Sequence, residues 1–186
     1  MAVDLPQSTR DRLGALLGAL GREARDVRWV RAESIHLTMK FLGEVVESRM
    51  NALADRLSVS VAAVRAGFRI ESRGIGTFGG RLPRVVWAGV IDPDGGLSRL
   101  QQAVESACVA EGFAPEARPY SPHLTLARPK GRSRDLDAAL ASRVEIDLGC
   151  FEVHSCFLFH SILRSEGATY LKLRDFPLGR REEGAT

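Results

Sequence analysis

The feature that most constrains this chain is an internal duplication. Val3-Asp4-Leu5-Pro6, a helical stretch, a strand and Ser34-Ile35-His36-Leu37-Thr38-Met39 recur as Val90-Ile91-Asp92-Pro93, a helical stretch, a strand and Ser121-Pro122-His123-Leu124-Thr125-Leu126. The offset is 88 residues at the aspartates and 87 at the histidines. Spacing held nearly constant across a whole β-α-β-β unit marks a repeated structural unit, not two chance motifs. It predicts two similar lobes related by an approximate twofold axis, with the two histidines face to face.

Between these landmarks strands and helices alternate, without low complexity or an obvious linker. Met1 to Leu5 reads as a short strand ended by Pro6, and Ser8 with Asp11 as a capping box opening a helix whose Leu13, Leu16, Leu17 and Leu20 share one face. Val27 to Val30 and Ile35 to Phe41 read as strands. Met50, Leu53, Leu57, Val61 and Val64 mark the buried stripe of a helix from about Glu47 to Val64. The glycine-rich Arg73 to Arg81 reads as a loop and Arg84 to Ile91 as a strand. After a turn at Asp92 to Gly96, Leu97, Leu100, Val104 and Ala107 lie on a further helix. Ser121 to Arg128 is a strand and Arg134 to Ala141 a short helix. Val144 to Val153, Cys156 to Leu163 and Thr169 to Leu173 are strands, and Arg180-Arg181-Glu182-Glu183 is a solvated tail.

A chain of 186 residues, 45% hydrophobic and 26% charged, has the make-up of a globular protein, one compact domain or two closely packed lobes. A net charge of +3 permits a polyanionic partner without requiring one. Three cysteines, Cys108, Cys150 and Cys156, are odd in number, lack C-x-x-C spacing and lie in apolar stretches, so they read as reduced core residues of a cytoplasmic protein. The opening residues show no basic segment followed by a long apolar run and no window reaches the length of a membrane span, so the protein is expected to be neither secreted nor membrane-inserted.

Chemistry enters through strand geometry. Side chains alternate across a strand, so His36, Thr38 and Lys40 share one face while Ile35, Leu37, Met39 and Phe41 share the other. His123 and Thr125 likewise oppose Leu124 and Leu126. Two such strands meeting in a groove supply two imidazoles and two hydroxyls, an inventory suited to phosphodiester chemistry. Imidazole titrates near neutrality, so one ring acts as base toward water while the other protonates a leaving oxygen. The hydroxyls would hold charge on the non-bridging oxygens as phosphorus becomes five-coordinate. This scheme calls for no metal or other cofactor, and the chain carries no H-E-x-x-H and no Cys/His cluster. His154 and His160 lack the threonine and the repeat and read as structural.

At these residues the chain resembles the two-histidine (2H) phosphoesterase superfamily, defined by paired His-x-Thr-x motifs, here His36-Leu37-Thr38-Met39 and His123-Leu124-Thr125-Leu126. Within it the resemblance is to the RNA 2',3'-cyclic phosphodiesterase branch, also called the 2'-5' RNA ligase family. Asp4-Leu5-Pro6, Lys40-Phe41-Leu42-Gly43-Glu44, Pro83-Arg84-Val85-Val86-Trp87, Ala127-Arg128 and the closing pattern Ser161, Gly167, Tyr170, Leu173, Phe176-Pro177-Leu178 extend it over almost the whole chain.

The resemblance implies a single domain over residues 1–186, an α+β fold of two pseudo-symmetric lobes, with two antiparallel sheets around a central cleft and helices outside. It implies His36 as proton donor, His123 as proton acceptor, and Thr38 and Thr125 as phosphate ligands. The implied reaction is hydrolysis of an RNA 2',3'-cyclic phosphate to a 2'-phosphate, with reversible 2'-5' joining of RNA ends in some members; nothing in the sequence demands more than a monomer. Arg128 is a candidate phosphate ligand, although strict alternation turns it away from His123 unless a bulge or strand end re-aims it. Lys40 lies on the catalytic face, Phe41 is either core or a base-stacking platform, and Tyr120, with Arg84 and Arg118, is a candidate for the RNA approach. Tyr170 reads as a structural support of the cleft. Two other readings are a phosphodiesterase for a small nucleotide, such as ADP-ribose 1'',2''-cyclic phosphate or a 2'-5' oligonucleotide, and a non-catalytic module that binds RNA ends.

Overall fold

Buried leucines at helical spacing set the first helix. In the computed structural model, which describes residues 1–131, 134–164 and 167–179, Leu13, Leu16, Leu17 and Leu20 line the buried face of α1 (Gln7–Glu23). The helix starts one residue before the expected capping box: the Pro6 carbonyl accepts the N–H groups of Thr9 and Arg10 at 3.1 Å each, and no side chain caps the end. Ahead of it lies β1 (Ala2–Val3); after it come a 3-10 turn (Ala32–Ser34), β2 (Leu37–Thr38) and a second 3-10 turn (Glu47–Arg49) leading into α2 (Met50–Ala62). The remaining elements are β3 (Phe68–Phe78), β4 (Val85–Ile91), α3 (Gly96–Ala110), β5 (His123–Ala127), α4 (Arg134–Ala141), β6 (Asp147–Val153), β7 (Ser155–Arg164) and β8 (Gly167–Pro177).

The strands lie in the order β6-β3-β4-β5-β2-β1-β7-β8, every neighbouring pair antiparallel. The expected α+β class with antiparallel strands is borne out, but the two expected sheets run together as one eight-stranded sheet, its two arrays joined through one residue pair, Leu37 opposite Leu124. Outward from that pair run β5 and β4 on one side and β2 and β1 on the other, so corresponding strands of the repeat take corresponding places. Leu37 and Leu124 are fully buried, as are Leu97 and Leu100 on α3 and Leu53 and Leu57 on α2. Each such side chain contributes about 1.5–3 kcal/mol by leaving water. α2 packs on α3 and β8, and α1 on α4 and β6.

Several local expectations give way to longer-range demands. Val27 to Val30 makes only an isolated bridge, Trp29 to Ala127, with the Val30 N–H on the Leu126 carbonyl at 2.9 Å. The glycine-rich segment is strand up to Phe78. Gly76 pairs with Trp87 and lies under its indole, where a Cβ would come 2.3 Å from Trp87 Cζ2, so glycine here serves close packing within a strand. Cys108 and Cys156 are buried, but Cys150, on the edge strand β6, is exposed; all three are free thiols. The tail at Arg180 to Glu183 falls outside the described residues.

Candidate active site

The Leu37–Leu124 pair positions the site. Opposed residues of an antiparallel pair project to the same face. Continuing the register by one residue each way sets His36 across from Thr125 and Thr38 across from His123, on the face away from the buried leucines. The histidines therefore occupy one diagonal of a four-residue square and the threonines the other. Ladder geometry puts diagonal Cβ atoms roughly 7–8 Å apart. That leaves room for a phosphoryl group between two imidazoles.

The rings are oriented alike. His36 Nδ1 lies 3.1 Å from the Ser34 carbonyl and His123 Nδ1 lies 2.8 Å from the Ser121 carbonyl. A carbonyl only accepts, so each Nδ1 carries the proton in these contacts, and Nε2 is left as the lone-pair nitrogen of a neutral ring. Around His36 the backbone is tethered by Arg10, whose Nη1 donates to the carbonyls of Ala32 (3.2 Å), Glu33 (3.1 Å) and Ile35 (3.2 Å), whose Nε donates to the Leu5 carbonyl (3.2 Å), and whose Nη2 pairs with Asp4.

The two histidines have unlike surroundings. His36 stacks on Phe159 with ring centroids 5.7 Å apart and meets Tyr170 edge-on at 4.4 Å. Burial pushes its pKa below the ordinary imidazole value, opposed in part by the hydrogen bond to Ser34. Beside it opens a cavity of ≈ 260 Å³ lined by Asp4, Glu33, Phe159, Tyr170 and Lys172. His123 instead stands opposite Gly89 on β4 and meets Phe78 edge-on at 5.0 Å, while Trp87 stands opposite Thr125. The Trp87 Nε1–H is buried and has no acceptor among the described residues.

A bulge sets the direction of the residues just past each motif. On β5, Trp87 pairs with Thr125 and Val86 with Ala127, so one step on β4 spans two on β5. Leu126 and Ala127 are consecutively buried, and Arg128 is turned back to the His123 and Thr125 face, exposed to solvent. β2 repeats the device. The N–H groups of Met39 (2.9 Å) and Lys40 (3.2 Å) both donate to the Met1 carbonyl, both side chains are buried, and Phe41 emerges 82% exposed. Phe41 and Arg128 are thus equivalent positions of the repeat, each re-aimed to the polar face. Phe41 is not core.

The same bulge removes Lys40 from the site. Its ammonium donates to both Glu105 carboxylate oxygens and to the Ala114 carbonyl, all at 2.9 Å, which uses its three N–H groups. Glu105 also accepts the Glu116 N–H at 2.9 Å, so Lys40 ties the end of β2 to the segment leading into β5. Tyr120 has a similar role. Its hydroxyl donates to the Thr38 carbonyl at 3.3 Å and its partly buried ring packs against the core, bracing the strand. Arg84 and Arg118 are exposed. His154 is exposed beside Glu152 (3.3 Å) and His160 is exposed on β7.

Sequence reasoning missed Phe159 and Lys172, which come from the β7–β8 hairpin, and Arg10, which acts through backbone carbonyls. Asp4 was visible as a member of the repeat but not as a site residue. The register of Ala2 with Thr38 carries Asp4 to the place beside His36. Among the described residues no group of three or more His, Cys, Asp or Glu is placed to hold a metal ion, and no helix is long and apolar enough to cross a membrane.

Known proteins resemble this chain in sequence and fold. An RNA 2',3'-cyclic phosphodiesterase of Aeropyrum pernix is 38% identical over 166 residues, covering 87% of this chain and 92% of its own. One from Methanothermobacter thermautotrophicus is 34% identical over 181 residues, covering 96% and 97%. Among solved structures, TT0787 of Thermus thermophilus superposes with a TM-score of 0.77 at 29% identity over 95% of this chain and 94% of its own. Escherichia coli LigT complexed with 3'-AMP superposes at 0.74 with 25% identity over 95% of each chain. Residues 8–160 match the model of the 2'-5' RNA ligase superfamily, and with relatives this similar over nearly its full length the chain belongs to that superfamily.

Proposed function

We propose that this protein is an RNA 2',3'-cyclic phosphodiesterase working by two-histidine acid–base catalysis. The observation that carries the reading is the square at the sheet junction: two histidines on one diagonal, each with its Nδ1 engaged by a backbone carbonyl two residues back, and two threonines on the other. The names of the curated relatives agree with it.

The terminal cyclic phosphate sits between the rings. Neutral His123 accepts a proton from water as the water oxygen attacks phosphorus. Protonated His36 gives its proton to the departing O3', and a 2'-phosphate and a free 3'-hydroxyl result. Thr38 and Thr125 donate to the non-bridging oxygens, where charge accumulates in the transition state. Arg128, re-aimed by the bulge, adds a positive charge beside the phosphate. With a 5'-hydroxyl in place of water the same step yields a 2'-5' linkage, and microscopic reversibility allows its reversal. Burial favours neutral His36 in the free protein, and the arriving phosphodiester anion restores its proton.

Phe41 stacks a base of the RNA strand beyond the terminal nucleotide. The whole chain acts as one domain of two pseudo-symmetric lobes, monomeric and cytoplasmic. Incubation of an oligoribonucleotide ending in a 2',3'-cyclic phosphate, in EDTA, with the product identified by mass and phosphorus NMR, tests this reading. A 2'-phosphate end is expected. A 3'-phosphate end overturns the assignment of the leaving oxygen to His36, and unchanged substrate overturns the reading.

A further inference from the structure

The two histidines are held in place by different means. His123 stands within β5 and is paired with Gly89 of β4, so the strand ladder fixes its backbone. His36 stands one residue ahead of β2, a strand of only two residues, Leu37–Thr38. Continuing the register of Ala2 with Thr38 and Val3 with Leu37 puts Asp4 opposite His36, where β1 has already ended and Pro6 leads into α1. What the ladder gives His123 must reach His36 from elsewhere.

It comes from Arg10 on α1. Of the four successive carbonyls of residues 32 to 35, Arg10 Nη1 takes those of Ala32 (3.2 Å), Glu33 (3.1 Å) and Ile35 (3.2 Å), and the remaining one, on Ser34, is left to His36 Nδ1 at 3.1 Å. Arg10 is itself anchored through Nε to the Leu5 carbonyl and through Nη2 to Asp4, whose other oxygen lies 2.5 Å from Lys172 Nζ. The repeat supplies a direct comparison. At the offset of 88 residues Asp4 corresponds to Asp92 and Arg10 to Ser98. Asp92 accepts the N–H groups of Leu97 (3.0 Å) and Ser98 (2.9 Å) and the Ser98 hydroxyl (2.9 Å), which closes the start of α3. A serine so placed has neither the reach nor the fan of donors of a guanidinium. The same pair of positions caps a helix in one copy and holds the histidine segment in the other.

We propose that Arg10 is the positioning residue of the proton donor, fixing residues 32–35 so that the Ser34 carbonyl holds His36 Nδ1 and leaves Nε2 to deliver the proton. Resting on the proposed function, in which His36 protonates the departing O3', Arg10 serves the donor alone, and His123 owes its place to β4. Arg31 and Glu33 are exposed and Ala32 and Ser34 half-buried, so without Arg10 water takes over the freed carbonyls and the segment loosens while the fold persists. Asp4 keeps Lys172, so no carboxylate is left without a partner. Misplacing a reacting group by about 1 Å costs on the order of 10²-fold in rate.

The test measures kcat and KM for a cyclic-phosphate-ended oligonucleotide, Tm, and the nitrogen-15 NMR shifts of both imidazoles in the wild type, Arg10→Met and Arg10→Lys. In Arg10→Met, kcat should fall by about 10²-fold with KM little changed, and His36 should exchange its Nδ1–H form for a mixture of tautomers while His123 keeps its own. Arg10→Lys retains a charge beside Asp4 but not the fan of N–H groups, so its kcat should fall about as far; should Arg10→Met fail to fold, Arg10→Lys carries the same comparison. A lowered Tm with wild-type kcat and an unchanged His36 tautomer overturns the proposal, as does a rise in KM alone or full rescue by lysine. Absence of cleavage by the wild type overturns the proposed function, while the His36 spectrum of the variants still reads whether Arg10 holds the ring.

Discussion

Replacing Lys40 by methionine separates a structural lysine from a substrate-binding one. The Lys40 side chain is 6% exposed and makes three 2.9 Å bonds, two to Glu105 and one to the Ala114 carbonyl. Removing one partner of a buried pair costs roughly 3–5 kcal/mol, because the other charge is left uncompensated. Glu105 is 20% exposed and keeps the Glu116 N–H, which places the loss at the low end, about 3 kcal/mol. For a chain of this size each kcal/mol moves Tm by about 2–4 °C, so Lys40→Met should lower it by about 6–12 °C. Thermal and urea unfolding of Lys40→Met, Glu105→Leu and the double variant check this. The double variant should be less destabilised than the sum of the singles, since it buries no unpaired charge. The salt dependence of KM should stay unchanged, because Lys40 meets no phosphate. A Lys40→Met protein of wild-type stability whose KM for RNA has risen and lost salt dependence would refute this account and return Lys40 to the site.

Phe41→Ala should leave stability within about 0.5 kcal/mol, since the ring is solvent-exposed, yet raise KM for an oligonucleotide about fivefold or more, as the loss of base stacking requires; unchanged KM would remove Phe41 from the RNA path. Arg128→Ala should weaken binding of every sequence alike and reduce the salt slope by about 0.7, one single-strand phosphate contact. In an NMR titration, His36 should ionise below the ordinary 6.5, and a bound nucleoside 2'-phosphate should move that pKa upward. Because the folded-state pKa is depressed, the associated stability is present above 6.5 and is lost as pH falls through the folded value, so His36→Gln should flatten that acid-side loss.

The parts of the site legible in the sequence are those written twice. The duplicated Ser-x-His-x-Thr segments located both histidines and both threonines, and alternation about Leu37 and Leu124 correctly assigned their faces. Alternation then failed two residues past each threonine. A bulge depends on which carbonyl the partner strand offers, here Met1 on one side and the β4 register on the other, and nothing within His36 to Phe41 or His123 to Arg128 records it. Lys40 and Phe41 exchanged inside and outside for that reason. Phe159 and Lys172 were hidden differently: they enter from the β7–β8 hairpin, which extends the first array beyond β1. Gly76 looked like loop because the residue that needs it, Trp87, lies on another strand. The helices were the easiest elements, since their periodicity is local and survives any tertiary arrangement.

The central claim is that two histidines in equivalent places divide the proton transfers. Single-turnover cleavage of a cyclic-phosphate-ended RNA in EDTA, by the wild type, His36→Asn, His123→Asn and the double variant, tests it most directly. Asparagine retains an N–H for the Ser34 or Ser121 carbonyl, so circular dichroism and Tm should match the wild type. Each single variant should lose about 10²–10⁴-fold in rate, and the double variant should be little worse than the poorer single, because the two groups act as a unit. A folded single variant that cleaves within a few-fold of the wild-type rate would contradict the claim.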